Sequence, residues 1–284
     1  MLAAVLRTGR FFATHPLTKD APGKAWFRFL SWQVRSRLRR EIAFEWIAGQ
    51  KLSVRKGMTG ATGNIYVGLH EFSGMALPLH FLRPGDVFLD VGANIGSFSI
   101  LASGVAGATT WAFEPDPGSA RSLRRNVEIN GLEGLVTVVE AAVGERDGTI
   151  AFTTGLDTTN QVTTTDDKTA QIVRIVSLDS CAEDLAPAMM KIDVEGHEDA
   201  VIRGASRLLA GSSLKIIELE GYSDECVATL ERHGFAIAYY DALARRFSTT
   251  DLGDKSNAIW IRDMPFVMDR ISTAPRFEVV GKSV

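Results

Sequence analysis

The chain has 284 residues, 45% of them apolar and 23% charged, an ordinary globular balance with room for a large core and one or two domains. Its net charge of −3 argues against a global electrostatic grip on nucleic acid, and no window of about 18 uncharged apolar residues exists to cross a membrane. The two cysteines, Cys181 and Cys226, lie far apart, fit no metal spacing and imply no disulfide, as in a reducing compartment.

The opening run MLAAVLRTGRFFATHP is broken by Arg7 and Arg10 and has no basic lead-in. It therefore lacks the layout of a secretory signal, and the expected location is cytoplasmic. Residues 1 to about 50 read as helical. In KAWFRFLSWQVRSRLRR (24–40), Phe27, Leu30, Val34 and Leu38 recur at helical spacing between basic residues. This predicts a helix packed on the rest of the protein with a solvated basic side. The alternative is peripheral contact with an inner membrane surface, made by Trp26, Phe27, Phe29 and Trp32 beside six Lys or Arg residues. Residues 52–56 and 64–72 read as short strands or a hairpin that covers a cleft, with His70 and Glu71 either facing that cleft or on plain surface.

From residue 73 helix-like and strand-like segments alternate. Helices are expected at 74–82, from Gly96 to about Val105, and at 117–130, 198–210 and 223–233. Strands are expected at 86–91, 109–114, 135–141, 188–193, 214–219, 235–240 and 257–262, with an antiparallel excursion at 148–152 and 171–176. The threonine-rich stretch 153–171 reads as a mobile loop. Such alternation predicts an α/β fold: a Rossmann-like, mainly parallel sheet with helices on both faces. The last two strands have no helix between them, which predicts one antiparallel strand near the C-terminus. The expected division is 1–72, an N-terminal helical extension with its hairpin; 73–265, the main domain; and 266–284, a tail.

In an open parallel sheet, ligands bind beyond the carboxyl ends of the strands, where the strand order reverses. The turn after the first strand of the alternation reads Asp90-Val91-Gly92-Ala93-Asn94-Ile95-Gly96. Gly92 and Gly96 allow close backbone approach, and Asn94 tolerates left-handed geometry. The dinucleotide pattern G-x-G-x-x-G is not met, since Asn94 stands for its central glycine and Ser97 for its last. Asp90 would repel a pyrophosphate and favour a cationic group. Glu114, ending the next strand, suits two ribose hydroxyls. A ribose with a cationic, phosphate-free tail describes S-adenosylmethionine. Asp116 is expected to cap the helix starting at Pro117.

A second cluster, MKIDVEGHE, brings Asp193, Glu195, His197 and Glu198 together after another apolar strand. Two chemistries fit. In one, His197 or Asp193 takes the proton of an acceptor hydroxyl. In the other, Asp193 with Glu218 or Glu220 holds a divalent cation that acidifies the hydroxyl. A plainer reading leaves Glu195 and Glu198 supporting a helix N-terminus, with His197 at its surface.

The segments DVFLDVGANIGSFSILAS, WAFEPDPGSARSLRRNVEING, AAVGERDGTIAF and VSLDSCAEDLAPAMMKIDVEGHEDAVIRGA together resemble the FkbM-type S-adenosylmethionine-dependent methyltransferases. The resemblance runs over about residues 64 to 220, with KIDVEGHE its most specific block. It implies O-methylation of a hydroxyl on a sugar, glycolipid or polyketide-like natural product. It also implies that Asp90, Gly92, Asn94 and Gly96 line the methionine part, Glu114 binds ribose, Ala141 and Ala142 flank adenine, and Asp193 faces the methyl group. Two rivals share the sheet: a nicotinamide-dependent oxidoreductase, and a non-catalytic scaffold that keeps the fold. Nucleic-acid methylation is disfavoured, because the fourth strand is not followed by the Asn/Asp-Pro-Pro-aromatic block of base-amino methyltransferases.

Overall fold

A computed structural model describes residues 2–155, 160–163, 170–250 and 258–284. Two helices open the chain, α1 (Leu2–Thr14) and α2 (Pro22–Leu38), followed by a hairpin of β1 (Ile42–Glu45) and β2 (Lys51–Val54), then α3 (Thr59–Val67) and α4 (Phe72–Phe81). The central alternation runs β3 (Val87–Val91), α5 (Ser97–Ile100) extended by a π-helical turn, β4 (Thr109–Phe113), α6 (Pro117–Ile129) and β5 (Val136–Val139). A small side sheet holds β6 (Ala142–Val143), β7 (Gly148–Thr153) and β8 (Ala170–Val176). The main sheet resumes after α7 (Leu178–Cys181) with β9 (Pro187–Ile192), α8 (Glu198–Arg203), α9 (Ser206–Ala210), β10 (Ile216–Leu219), α10 (Asp224–Arg232) and β11 (Ala236–Asp241). It ends with β12 (Arg246–Ser248), β13 (Ala258–Ile261), α11 (Met264–Ser272) and a short pair, β14 (Glu278–Val279) with β15 (Lys282–Ser283).

The main sheet has the order β12-β11-β13-β10-β9-β3-β4-β5. Strands β5, β4, β3, β9 and β10 are mutually parallel, and β13 lies antiparallel between β10 and β11. This is the Rossmann-like, mainly parallel sheet with the late antiparallel strand that the alternation predicts. An antiparallel edge strand, β12, adds to it within the link that reads as loop from its polarity. The strand order reverses between β3 and β9, so a crevice opens at their carboxyl ends.

Each central strand buries alternate residues in two separate cores. Leu89, Val91, Met190, Ile192, Ile217 and Leu219 belong to one, under α8, α9 and α10. Phe88, Met189 and Ile216 belong to the other, under α4 and α11. Period-two alternation therefore sends Asp90, Lys191 and Glu218 to this second face as well.

The N-terminal region departs from expectation in two places. Helix stops at Leu38, and residues 42–54 form the hairpin, turning through Ala48 and Gly49 in left-handed backbone. Ile42, Leu52 and Val54 bury against Trp32 and the sheet's flank, an alternation that only tertiary packing reveals. Residues 64–72 are not a strand. The segment NIYV ends α3, where Val67 packs with Phe12 and Ala25, and α4 starts at Phe72. Tertiary contacts override the β-propensity of Ile65, Tyr66 and Val67. The tail beyond 266 carries most of α11 and the final strand pair, with Val267, Ile271, Val279 and Val284 in the core. The side sheet matches the predicted excursion, and part of the threonine-rich stretch, 156–159 and 164–169, lies outside the described residues. No helix among the described residues is long and apolar enough to cross a membrane.

Candidate active site

A cavity of about 640 Å³ opens at the carboxyl ends of β3, β4 and β9, where the strand order reverses. Gly92, Asn94, Glu114, Ala141, Ala142, Asp193, His197 and Glu220 all line it. Asp90, Gly96 and Glu218 do not.

The turn after β3 is shaped by close approach. Gly92 has φ +83°, and a Cβ there would overlap the carbonyl oxygen of Asp193 at the end of β9. The amides of Gly92 and Ala93 both donate to Phe113 O, at 3.0 and 2.9 Å, which bends the chain back over β4. Asn94 takes φ +50°, the left-handed conformation its side chain tolerates. Its amide donates to Glu114 Oε2 at 2.8 Å, and the amide of Asp116 donates to Glu114 Oε1, also at 2.8 Å. Burial pushes the Glu114 carboxyl up to about 7, against the pull of these two amides. Asp116 caps α6 as expected, accepting from Ser119 N at 2.7 Å.

Asp90 answers a different need from the one its position suggests. It is 1% exposed, accepts from Ser99 Oγ at 2.6 Å, and pairs in register with Lys191 on β9. Glu218 on β10 pairs in register with Lys191 from the other side. The three strands thus carry a buried row, carboxylate–ammonium–carboxylate, on one face. Phe98 covers the lysine, whose Nζ lies 4.4 Å from the ring centroid. Gly74 on α4 lies so close to Glu218 Oε1 that a Cβ would overlap it. The cation opposite Asp90 is therefore the protein's own lysine, and this carboxylate is closed off from the cavity. Gly96 faces Leu123 and sets the left-handed entry to α5.

Lys191 also pairs with Asp193 at the cavity wall. Burial alone would drive this ammonium towards neutrality, but Asp193, Glu71, Glu218 and Asp90 surround it and hold its pKa above the ordinary range. Asp193 is half-buried, and Lys191 and a hydrogen bond with Glu220 keep its carboxyl below the usual range against that desolvation. Glu220 is the reciprocal case. It is exposed at the cavity mouth, and its hydrogen bond with Asp193, with partial desolvation, pushes it up to about 9, so at neutral pH it holds the proton of the pair. This geometry corrects the divalent-cation expectation. Lys191 already supplies the positive charge between Asp193 and Glu218. No cluster of three or more side chains able to hold a metal ion occurs among the described residues.

His197 is half-buried at the N-terminus of α8 and lines the cavity. Burial lowers its pKa, so its imidazole is neutral at neutral pH. His70 and Glu71, between α3 and α4 rather than on a hairpin, also line the cavity, and burial lowers His70 as well. Sequence reasoning missed Lys191, although a lysine inside the apolar strand AMMKI was the available signal. It also missed Arg7 and Thr8, which α1 delivers to the cavity wall. The two residues lie nearly two hundred positions from KIDVEGHE, and only packing joins them.

Comparison with known proteins gives a consistent picture. The family description "Methyltransferase FkbM domain" matches residues 90–239. The chain is 30% identical over 142 residues to the hexuronic acid methyltransferase AglP of Haloferax volcanii, a match covering 49% of this chain and 58% of that protein. It is 29% identical over 196 residues to the 31-O-demethyl-FK506 methyltransferase FkbM of Streptomyces tacrolimicus, covering 55% of this chain and 75% of that one. A crystal structure of methyltransferase FkbM from Methylobacillus flagellatus aligns with 15% identity and a TM-score of 0.44, covering 83% of this chain and 59% of the other.

Proposed function

This chain belongs to the FkbM methyltransferase family, and from that premise we propose that it methylates a hydroxyl of a sugar or sugar-bearing natural product, using S-adenosylmethionine. The observation that carries the reading is Glu114. Two backbone amides fix its carboxylate at the cavity wall, where it faces as an acceptor pair suited to vicinal hydroxyls. The carboxyl ends of β4, β9 and β10 present the carboxyl groups of Glu114, Asp193, Glu195 and Glu220 to the cavity and no Lys or Arg, which suits a cationic ligand and opposes a diphosphate.

The residues present fit the cofactor's parts. Gly92 and Asn94 offer the turn for the methionine end, Glu114 takes the ribose, and Ala141 and Ala142 give small walls for the adenine. Asp90 acts from beneath, joined to Ser99 of α5 and facing Lys191, and Gly96 sets the left-handed entry to α5. When bound, the cofactor supplies a methyl group already activated by a sulfonium.

What remains for the protein is alignment and proton removal. Asp193, fixed by Lys191 and Glu220, accepts a hydrogen bond from a second hydroxyl of the acceptor, beside the reacting one, and so orients the acceptor. Neutral His197 would take the proton of the reacting hydroxyl, whose oxygen would then accept the methyl group that the cofactor supplies. Arg7 is the basic group on the wall, so an acceptor bearing a carboxylate, as a hexuronic acid does, gains a partner there. The similarity to a hexuronic acid methyltransferase supports this choice.

The test is calorimetric titration with S-adenosylhomocysteine and with NADH, followed by transfer of labelled methyl into a panel of uronic acid and neutral glycosides. Binding of the homocysteine derivative alone, with label entering uronic acids, is the expected result. Binding of NADH in its place would return the protein to the oxidoreductase reading.

A further inference from the structure

The apolar stripe of α2 does not pack. Phe27, Leu30, Val34 and Leu38 are 74%, 57%, 60% and 79% exposed, while Ala25 and Trp32 on the opposite side are buried. The helix is held to the protein by an aromatic cluster instead: Trp26 and Phe29 meet Phe12 of α1 and Tyr66 of α3 edge to face, with centroids 5.2 to 6.2 Å apart. Four large apolar side chains along three helical turns are thus left to water, where single exposed apolars are the norm.

Charge says what covers them. Residues 21–40 hold six Lys or Arg and no Asp or Glu, in a chain whose net charge is −3. At 100° per residue, Lys24 and Arg35 flank one side of the stripe and Arg37 the other. Arg39 and Arg40 follow at its end. All five are exposed, and none forms an ion pair among the described residues. A second copy of the chain is a poor fit, because a two-fold dimer through this face would set each cationic flank against its own image. A flat anionic plane satisfies both flanks while the stripe enters its apolar layer.

We infer that the outer face of α2 docks the protein on an anionic lipid membrane, with Phe27, Leu30, Val34 and Leu38 inserted and Lys24, Arg35 and Arg37 on the headgroups. Helix α1 packs against α2 and also exposes Leu6, while its Arg7 and Thr8 reach the cavity wall, so the docking face and the cavity share one helical support. The inference goes beyond methyl transfer and stands without it.

The experiment is co-sedimentation of the full chain with vesicles of phosphatidylcholine alone and of phosphatidylcholine mixed with phosphatidylglycerol. The protein is expected to pellet with the anionic vesicles only, and less as salt rises. The double variant Arg35→Gln/Arg37→Gln is expected to bind roughly 25-fold more weakly, from about fivefold per surface charge. Leu30→Ser/Val34→Ser is expected to abolish pelleting, with S-adenosylhomocysteine affinity and melting temperature unchanged as proof of folding. Wild-type protein left in the supernatant, equal binding to neutral vesicles, or unchanged binding by both variants would overturn the inference. So would a dimer in sedimentation velocity that Leu30→Ser/Val34→Ser dissociates, which would assign the face to a second copy.

Discussion

Glu114 ties cofactor affinity to pH with a definite sign. Its carboxyl is pushed up to about 7 by burial, and each oxygen already accepts one backbone N–H. Only the ionised form leaves both oxygens free to accept from ribose hydroxyls as well. If that form alone binds, the apparent Kd scales with one plus the ratio of proton concentration to the acid constant. Affinity for S-adenosylhomocysteine should then fall roughly tenfold from about pH 8 to about pH 6. The stability of the empty protein moves the other way. A folded value raised above the ordinary 4.5 means that the native state holds this proton more tightly. Its stabilising contribution is complete below about 4.5 and is lost as pH rises through about 7. The ligand-induced rise in Tm should therefore grow from about pH 6 to about pH 8. Glu114→Gln removes the titration and one charge-assisted hydrogen bond, about 1.5–3 kcal/mol, so binding should weaken roughly 10- to 100-fold at about pH 8 and lose this pH dependence. Calorimetric titration across the range reads both effects. A wild-type affinity that stays flat, or a Gln variant that binds as tightly, would refute the ribose assignment.

Lys191→Met should lower the Tm by roughly 10 °C in a thermal melt, because it strands Asp90, Asp193 and Glu218 without their shared cation, a cost of about 3–5 kcal/mol. Glu220→Gln should be nearly neutral at about pH 7, since the acid it replaces already holds a proton and the amide still donates to Asp193; with the folded value raised to about 9, the wild type should lose Tm as pH rises through that value and the variant should not. His197→Gln should cut the rate of label transfer by about 10²–10⁴ while leaving S-adenosylhomocysteine affinity intact, as measured by single-turnover transfer beside calorimetry. Gly92→Ala should abolish cofactor binding and lower the Tm, because its Cβ meets the Asp193 carbonyl and its φ of +83° disfavours a side chain.

The main sheet was legible because strands buried on both faces are short apolar runs between helix-period segments, and that signal is local. The N-terminal third was not. Its hairpin depends on Leu52 and Val54 reaching Trp32, and its third helix on Val67 reaching Phe12, contacts that no window of a dozen residues contains. The helix α2 shows the failure most clearly. Its period and its helix agree, but the stripe that periodicity assigns to the core faces outward, and the packing face is built from Ala25, Trp26, Phe29 and Trp32. Amphipathic spacing marks a face that shuns water and is silent on what covers it.

The same limit governs the charges of the site. In chain order Asp90, Lys191 and Glu218 are three unrelated ions, each in an apolar strand. Parallel pairing in register makes them neighbours, and the lysine satisfies the acid that seemed to await a cationic ligand. Selection of a positively charged ligand must then come from groups that face the cavity. Asp193 is the charged member of the pair it forms with Glu220, but Lys191 stands behind it and offsets that charge. The attraction for a sulfonium therefore depends on how far Lys191 is screened from the cavity. With Lys191 2% exposed and its ammonium capped by the Phe98 ring, the carboxyl oxygens of Asp193 and Glu220 are what a ligand meets first. Lys191 fixes these acids in place without presenting its own charge, so the cavity wall can be both rigid and attractive to a cation.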